Sequence, residues 1–183
     1  MVGQTVSEYK EVVSSCKELF EKKTSDYGTA SWRILRLPSV TDLIFIKANR
    51  VRSIQEKGEQ KVADDIQGEF MAIINYCLIA LMQMQLQEDS RLELPVQEAV
   101  SMYSSAANET LELLTNKNHD YGEAWRDMRV SSITDIILMK LLRIKQIEDN
   151  QGKTLVSEGV KANYQDMLNY AVFALIQMKE EQR

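Results

Sequence analysis

The stretch KNHDYGEAWRDMR at residues 117–129 repeats KTSDYGTASWRILR at residues 23–36 with one residue deleted. Both copies keep an Asp-Tyr-Gly turn, a Trp-Arg pair and a second Arg within one short segment. A shift of 94 residues also aligns Asn75 with Asn169, near the end of each copy. So many identities in one order, with a single small gap, predict that the chain is an internal duplication.

Each copy of the duplicated unit predicts three helices, because its apolar residues recur every three to four positions. The spacing of Thr5 and Glu8 is that of a capping box at the start of the first helix. Gly28 and Gly122 supply the turn conformation that ends the first helix of each copy. The first helices are predicted to begin at about Thr5 and at Pro95 and to end at the Asp-Tyr-Gly segments. The later helices are predicted to span about 39–57 and 62–87 in the first copy, and about 132–149 and 154–179 in the second.

These patterns predict an all-α fold, since no strand alternation of useful length occurs and the chain has only two prolines. Three helices do not easily close a bundle alone. We therefore predict a helical bundle of two tandem three-helix repeats, residues 1–90 and 91–183, packed as one compact unit about a pseudo-two-fold axis. The short linker, around Glu88 to Pro95, does not suggest independent domains.

Composition narrows the class of protein. A net charge of −5 argues against general nucleic-acid binding, and 44% hydrophobic residues are enough for a packed core. The chain has no apolar run near 18 residues and its N-terminus lacks signal-peptide features, so we expect no membrane span and a cytoplasmic location. Cys16 and Cys77 lie at helical spacing among apolar residues and are predicted to be buried free thiols.

Two basic islands stand out against the acidic background, one after each repeated turn. Each island has two Arg near the Trp, and a Lys and an Arg one helical turn apart on the next helix. Such side chains could clamp phosphate oxygens, or they could form a solvated basic face that pairs with acids of the third helix. The predicted phosphate-binding residues are Arg33, Arg36, Lys47, Arg50, Arg126, Arg129, Lys140 and Arg143.

The acidic residues allow two interpretations, metal binding or helix capping. Asp42 and Asp135 each lie three residues after a serine, a spacing that favours an N-cap over a metal site. Asp166 lies on the third helix of the second copy, with Glu158 two turns before it. A carboxylate buried on such an apolar helix costs stability unless it is hydrogen-bonded or metal-bound. The candidate metal ligands are Glu158, Asp166, Asp135 and Glu69.

The aromatic residues beside the repeated turn have a functional and a structural interpretation. Trp125 and Tyr121 are candidates for stacking on a nucleobase, as are their counterparts Trp32 and Tyr27. Large aromatic side chains beside a turn more often anchor the loop to the core, and we favour anchoring. His119 is the only histidine in the chain and is interpreted as a loop residue.

The DYGxxW stretch of the second copy, the basic helix after it and DMLNYA at residues 166–171 together resemble the bacterial and phage family called nucleotide modification associated domain 1. The resemblance covers nearly the whole chain as two tandem copies and is clearest over residues 117–178. That family is similar to all-α nucleoside triphosphate pyrophosphohydrolases of the MazG and dimeric dUTPase type. Those enzymes bind Mg²⁺ through acidic pairs three residues apart and release pyrophosphate from a nucleotide.

The resemblance implies nucleotide binding with Mg²⁺ as cofactor, Lys140 and Arg143 on the basic helix, and acidic ligands at Glu158 and Asp166. Neither third helix keeps an acidic pair: Glu69 is followed by Ala72, and Asp166 is preceded by Asn163. Whether the protein is an enzyme is therefore left open. The sequence predicts a nucleotide-binding protein, with a Mg²⁺-dependent pyrophosphohydrolase as its catalytic form. The alternative is a non-catalytic helical scaffold with a degenerate site, and a homodimer of the whole chain is also left open.

Overall fold

The computed structural model describes residues 2–58, 65–155 and 158–182, without the side chains of Val2 and Tyr121. These residues are mostly helical and contain no strand, which confirms the all-α prediction. A 3₁₀ turn at Ala124–Asp127 takes the place in the second repeat that the short helix Ala30–Arg33 has in the first. The helices are α1 (Val2–Tyr27), α2 (Ala30–Arg33), α3 (Leu37–Lys57), α4 (Ile66–Gln85), α5 (Val96–Tyr121), α6 (Val130–Asp149) and α7 (Val160–Glu181).

Equivalent helices of the two repeats pack against each other: α1 against α5, α3 against α6, and α4 against α7. Buried hydrogen bonds between the repeats form a matching pair. The Tyr9 hydroxyl donates to Asn169 Oδ1 at 3.1 Å, and the Tyr103 hydroxyl donates to Asn75 Oδ1 at 2.7 Å. In each bond a tyrosine of one repeat meets the asparagine of the other, as in an isologous dimer interface. The two repeats are thus related by a pseudo-two-fold axis.

The capping prediction for Asp42 and Asp135 is wrong. Helices α3 and α6 begin earlier than expected, and their N-cap residues, Arg36 and Arg129, are extended and make no side-chain cap. In α3 the early start follows from Pro38, whose ring fixes a helical φ in the first turn. The two aspartates lie one turn further along and reach across the repeat interface instead. Asp42 pairs with Lys145 at 3.0 Å, and Asp135 pairs with Arg52 at 3.6 Å.

Two other helix starts also differ from the sequence prediction. Thr5 lies inside α1 and its hydroxyl donates to Glu123 of the second repeat, so the predicted capping box is wrong. Helix α7 begins at Val160 instead of near Thr154. The interpretation of His119 as a loop residue is also wrong, since it lies in the last turn of α5. The predicted start of the third helix in repeat one, near residue 62, lies outside the described residues; α4 is capped by Asp65, which accepts from the Gly68 amide at 2.7 Å.

The repeated turn is held to the bundle by one glutamine in each repeat. Gln83 donates from its amide nitrogen to the carbonyls of Trp32, Arg33 and Leu35 at 2.7–3.2 Å. Gln177 donates in the same way to the carbonyl of Trp125 at 2.7 Å. Gly28 and Gly122 have φ of +75° and +67°, which confirms that they are repeated for backbone shape.

The core between the repeats is apolar and contains both thiols. Cys16 and Cys77 are fully buried and free, as predicted. Among the described helices, α4 is long and apolar enough to cross a membrane by length and composition, but most of it is buried inside the bundle. That burial is typical of a core helix in a packed protein.

Candidate functional site

A cleft of about 720 Å³ opens in repeat one, bounded by α1, α2, α3 and α4. Its wall combines charged and aromatic side chains, and we call it the repeat-one cleft. The charged residues in the wall are Lys23, Lys47, Asp65 and Glu69, and the aromatic residues are Phe20, Tyr27, Trp32 and Tyr76. Lys47 and Glu69 were predicted as phosphate and metal contacts, so the structure brings two predicted site residues together here.

Glu69 is the buried charge of the cleft, with only 4% of its side chain exposed. Arg50 donates to its Oε1 at 2.8 Å, and the Lys47 ammonium lies 3.6 Å from its Oε2. Arg50 and Lys47 project from the same face of α3, one turn apart, as the sequence predicted. Glu69 Oε2 has no hydrogen-bond partner, although an unpaired buried carboxylate oxygen is costly.

The aromatic wall has a second unpaired polar atom. Trp32 is 5% exposed and packs against Phe20 at 6.0 Å between ring centroids, while its Nε1 is buried without an acceptor. Tyr27 is 72% exposed at the rim. The indole Nε1 of Trp125 in repeat two is likewise buried without an acceptor, so what sets the cleft apart is the Glu69 oxygen that accepts no hydrogen bond, beside apolar rings.

The equivalent place in repeat two is internally paired. Asp166 accepts from Lys140 at 2.8 Å and from Lys117 at 3.0 Å. Partial burial lowers the pKa of Lys117, but the hydrogen bond to Asp166 and the charges of Asp166 and Glu158 together raise it above its ordinary value. Asn163, the counterpart of Glu69, donates to the Gly159 carbonyl at 3.0 Å. Asp166 is therefore neutralised by two lysines, and Glu158 lies near enough to Lys117 to help raise its pKa.

Sequence reasoning missed Lys23 and Lys117. Both are the first residue of the repeated stretch, so the alignment of the two copies already contained the signal. A lysine at the end of a helix is ordinary on a protein surface, so the residue type alone does not indicate a binding site. Only the packing of the helices shows that Lys117 reaches Asp166 on α7, and that Lys23 lines the same cleft as Glu69 of α4.

Trp125 is placed as an anchor of the core. Its ring stacks on Phe173 at 4.2 Å with an interplanar angle of 6°, and the Arg126 guanidinium lies 4.4 Å from its centroid. The indole is 6% exposed, so the favoured anchoring interpretation fits and stacking on a base would require Trp125 to leave the core. The side chain of Tyr121, the other predicted stacking residue, lies outside the described part of the chain.

The loop arginines predicted to bind phosphate are engaged in structural contacts. Arg33 donates to the carbonyls of Asp89 at 2.6 Å and Arg91 at 2.9 Å, which ties the linker to repeat one. Arg126 is enclosed by three carboxylates and joins α1, the 3₁₀ turn and α7. Its partners are Glu8 at 2.6 Å, Glu180 at 2.9 Å and Glu123 at 3.2 Å.

The remaining predicted residues lie on exposed surface. Arg36 and Arg129 are exposed at the starts of α3 and α6, and Arg143 is exposed on α6 beside Asp135. The predicted metal ligands thus fall in three places: Glu69 in the cleft, Glu158 with Asp166 around Lys117, and Asp135 beside Arg52. Within residues 2–58, 65–155 and 158–182, no three His, Cys, Asp or Glu side chains form a metal-binding group.

The fold defines a class of protein: an internally duplicated helical bundle, here with a cleft of charged and aromatic side chains in its first repeat. The family model for nucleotide modification associated domain 1 matches residues 23–84 and 117–178. The chain belongs to this family as two tandem copies, which confirms the resemblance seen in the sequence. Comparison with curated proteins and with solved structures gives no match.

Proposed function

We propose that the protein binds a nucleotide in the repeat-one cleft. One observation carries the proposal: a buried carboxylate with one oxygen that accepts no hydrogen bond, Glu69, lies in the wall of a cleft that also contains two lysines and four aromatic residues. The cleft volume of about 720 Å³ is in the range of known small-molecule sites. The description of the family, nucleotide modification associated, supports the same class of ligand.

The wall of the cleft contains the carboxylates of Asp65 and Glu69, but Arg50 pairs with Glu69, so the two lysines remain to attract a ligand with an anionic end. Lys23 and Lys47 line it directly, and Arg50 lies behind Glu69 and holds that carboxylate at 2.8 Å. Ammonium groups at the mouth of a low-dielectric cleft attract phosphate even in an acidic protein. The exposed ring of Tyr27 and the partly exposed ring of Tyr76 offer an apolar surface for a base.

Magnesium belongs to the proposal as a companion of the nucleotide. Mg²⁺ in proteins is commonly bound by one or two carboxylates together with substrate phosphates. Glu69 offers one carboxylate oxygen without a hydrogen bond, so the residues fit an ion that the phosphates themselves largely hold. Bound in this way, the ion would neutralise phosphate charge. Glu69 and Lys47 would position the nucleotide beside it.

Binding is the function that the cleft supports best, and pyrophosphohydrolysis is a second candidate, which is favoured by the Glu69 oxygen that accepts no hydrogen bond. The third helix of repeat one has Glu69 but Ala72, and that of repeat two has Asp166 but Asn163. Each repeat thus keeps one carboxylate of the acidic pair, paired with basic residues of its own repeat. Loss of oxygen ligands weakens a hard-cation site, and for this reason we place binding ahead of turnover.

The direct test is thermal unfolding of the full chain with ribo- and deoxyribonucleoside mono-, di- and triphosphates, with and without Mg²⁺. A ligand at about 100 times its Kd stabilises by about 2.7 kcal/mol, which is about 5–11 °C for a protein of this length. Lys47→Met should abolish the shift. Lys179→Met, a change at an exposed lysine paired with Glu11, should keep it. No shift for any nucleotide, in folded protein, would contradict the proposal and favour the scaffold alternative.

Hydrolysis is tested separately by pyrophosphate release from the nucleotide that binds, in the presence of Mg²⁺. Glu69→Gln keeps the shape of the side chain but removes its charge, so it should abolish any release that depends on this carboxylate. Release that persists unchanged in Glu69→Gln would exclude the hydrolytic role of Glu69, while the binding assay would still decide the binding proposal.

A further inference from the structure

We infer that the repeat-one cleft holds a phosphate group over Ala72, between Lys23 and Lys47, in the place that the Asp166 carboxylate occupies in repeat two. The inference rests on the proposed function and locates one part of the ligand. It comes from comparing the two repeats position by position, since each residue of the proposed subsite has a structurally described counterpart.

The two lysines are present in both repeats, but the residue facing them differs. Lys117 and Lys140 are the counterparts of Lys23 and Lys47, and both donate to Asp166, at 3.0 and 2.8 Å. The counterpart of Asp166 is Ala72, which has only a methyl group. Ala72, Lys23 and Lys47 all line the repeat-one cleft. Repeat two therefore carries a built-in anion at a place where repeat one has open space.

The carboxylate of repeat one is displaced by one helical turn. Glu69 lies three residues before Ala72 on α4, where it is hydrogen-bonded by Arg50 and lies 3.6 Å from Lys47. Its counterpart in repeat two is the uncharged Asn163. Each repeat thus has one carboxylate on this face of its third helix, but only in repeat two does that carboxylate bridge the two lysines. In repeat one the lysine pair lacks the anion that its counterpart has.

The side chains beside the two tryptophans also differ between the repeats. In repeat two, Phe173 stacks on Trp125 at 4.2 Å. Its counterpart is Ile79, which lines the cleft next to Trp32. Both indoles are buried, but a flat ring stacks on the tryptophan of repeat two, whereas the edge of Trp32 that remains accessible lines the cleft. The Asp166 carboxylate and the Phe173 ring both indicate that repeat two is closed by its own side chains. One chain should therefore bind one ligand.

The subsite is tested by giving repeat one the same built-in anion. Ala72→Asp places a carboxylate opposite Lys23 and Lys47, and it should weaken the binding of inorganic pyrophosphate and of the best nucleotide by tenfold or more in calorimetric titration. Ala72→Asn adds the same bulk without the charge, and it should weaken binding by less than about threefold, since charge provides most of the competition. Circular dichroism and the melting temperature of both variants establish that they fold.

The outcomes separate this inference from the proposed function. Equal weakening of binding by Ala72→Asp and Ala72→Asn would show a steric effect and overturn the anion subsite. Unchanged binding by Ala72→Asp would overturn it as well. In either case, nucleotide binding by the wild-type protein would leave the proposed function standing. No binding of any nucleotide or of pyrophosphate by the wild-type protein would overturn both. The titration should also give one ligand per chain; a value of two would show that Asp166 does not fill its site.

Discussion

Replacing Tyr103 with Phe tests how the two repeats are docked. Tyr103 is fully buried, and its hydroxyl donates to Asn75 Oδ1 at 2.7 Å across the repeat interface. The Asn75 amide nitrogen donates to the Cys16 carbonyl at 3.1 Å, so the asparagine is fixed and cannot turn to find another donor without losing that bond. Phe keeps the ring that stacks on Phe20 at 4.8 Å, so the change removes one hydroxyl and little else.

The cost follows from the acceptor that is left behind. A buried amide oxygen that loses its donor costs about 1–3 kcal/mol, and for a chain of this length each kcal/mol lowers the Tm by about 2–4 °C. Tyr103→Phe should therefore lower the Tm by about 2–12 °C. Burial raises the pKa of the Tyr103 phenol far above its usual range, so the hydroxyl stays protonated and the loss should be the same from pH 6 to pH 9.

Urea unfolding followed by circular dichroism measures this loss. The midpoint should fall at constant m, because the surface exposed on unfolding does not change. Tyr9→Phe removes the matching bond to Asn169, which is 3.1 Å long, and should cost a similar or smaller amount. Tyr27→Phe, at a residue 72% exposed, is the control and should stay within about 0.5 kcal/mol of wild type. A Tyr103→Phe protein as stable as this control would refute the docking of the repeats through these asparagines.

Three further predictions concern backbone shape, pH and thiol chemistry. Gly28→Ala and Gly122→Ala should each destabilise by about 1–3 kcal/mol in urea unfolding, because both positions have positive φ; unchanged midpoints would contradict this. Burial first, and then neighbouring carboxylates, raise the pKa of Glu148, so its contribution to stability is present at low pH and is lost as pH rises through the folded-state pKa. Glu148→Gln should consequently raise the Tm at pH 7 but not at pH 4, and a gain of equal size at both would exclude this explanation. Burial raises the pKa of Cys16 to about 12 and raises that of Cys77 as well, so a thiol reagent at pH 8 should modify neither in the folded protein and both in urea; rapid labelling of the folded protein would show that one is accessible.

The sequence by itself determined the duplication, the all-α class and the role of the repeated glycines. These features depend on local periodicity and on comparison of one copy with the other, and neither requires knowledge of the packing. The same applies to Cys16 and Cys77, whose apolar helical spacing is enough to predict burial. The starts of α3 and α6 were missed because a serine three residues before an aspartate is a common pattern, whereas the observed N-caps, Arg36 and Arg129, carry no capping signal.

The tertiary structure alone decided which charge meets which. Asp42 reaches Lys145 of the other repeat, Glu69 is held within its own repeat by Arg50, and Arg126 is surrounded by acids from α1 and α7. Charged side chains are long, and their partners lie up to a hundred residues or more away in the chain, so spacing along one helix does not identify them. The packing also decided the surroundings of the two third-helix carboxylates. In the aligned repeats Glu69 and Asp166 lie one helical turn apart, yet Glu69 lies in the wall of a cleft and Asp166 is bound by two lysines.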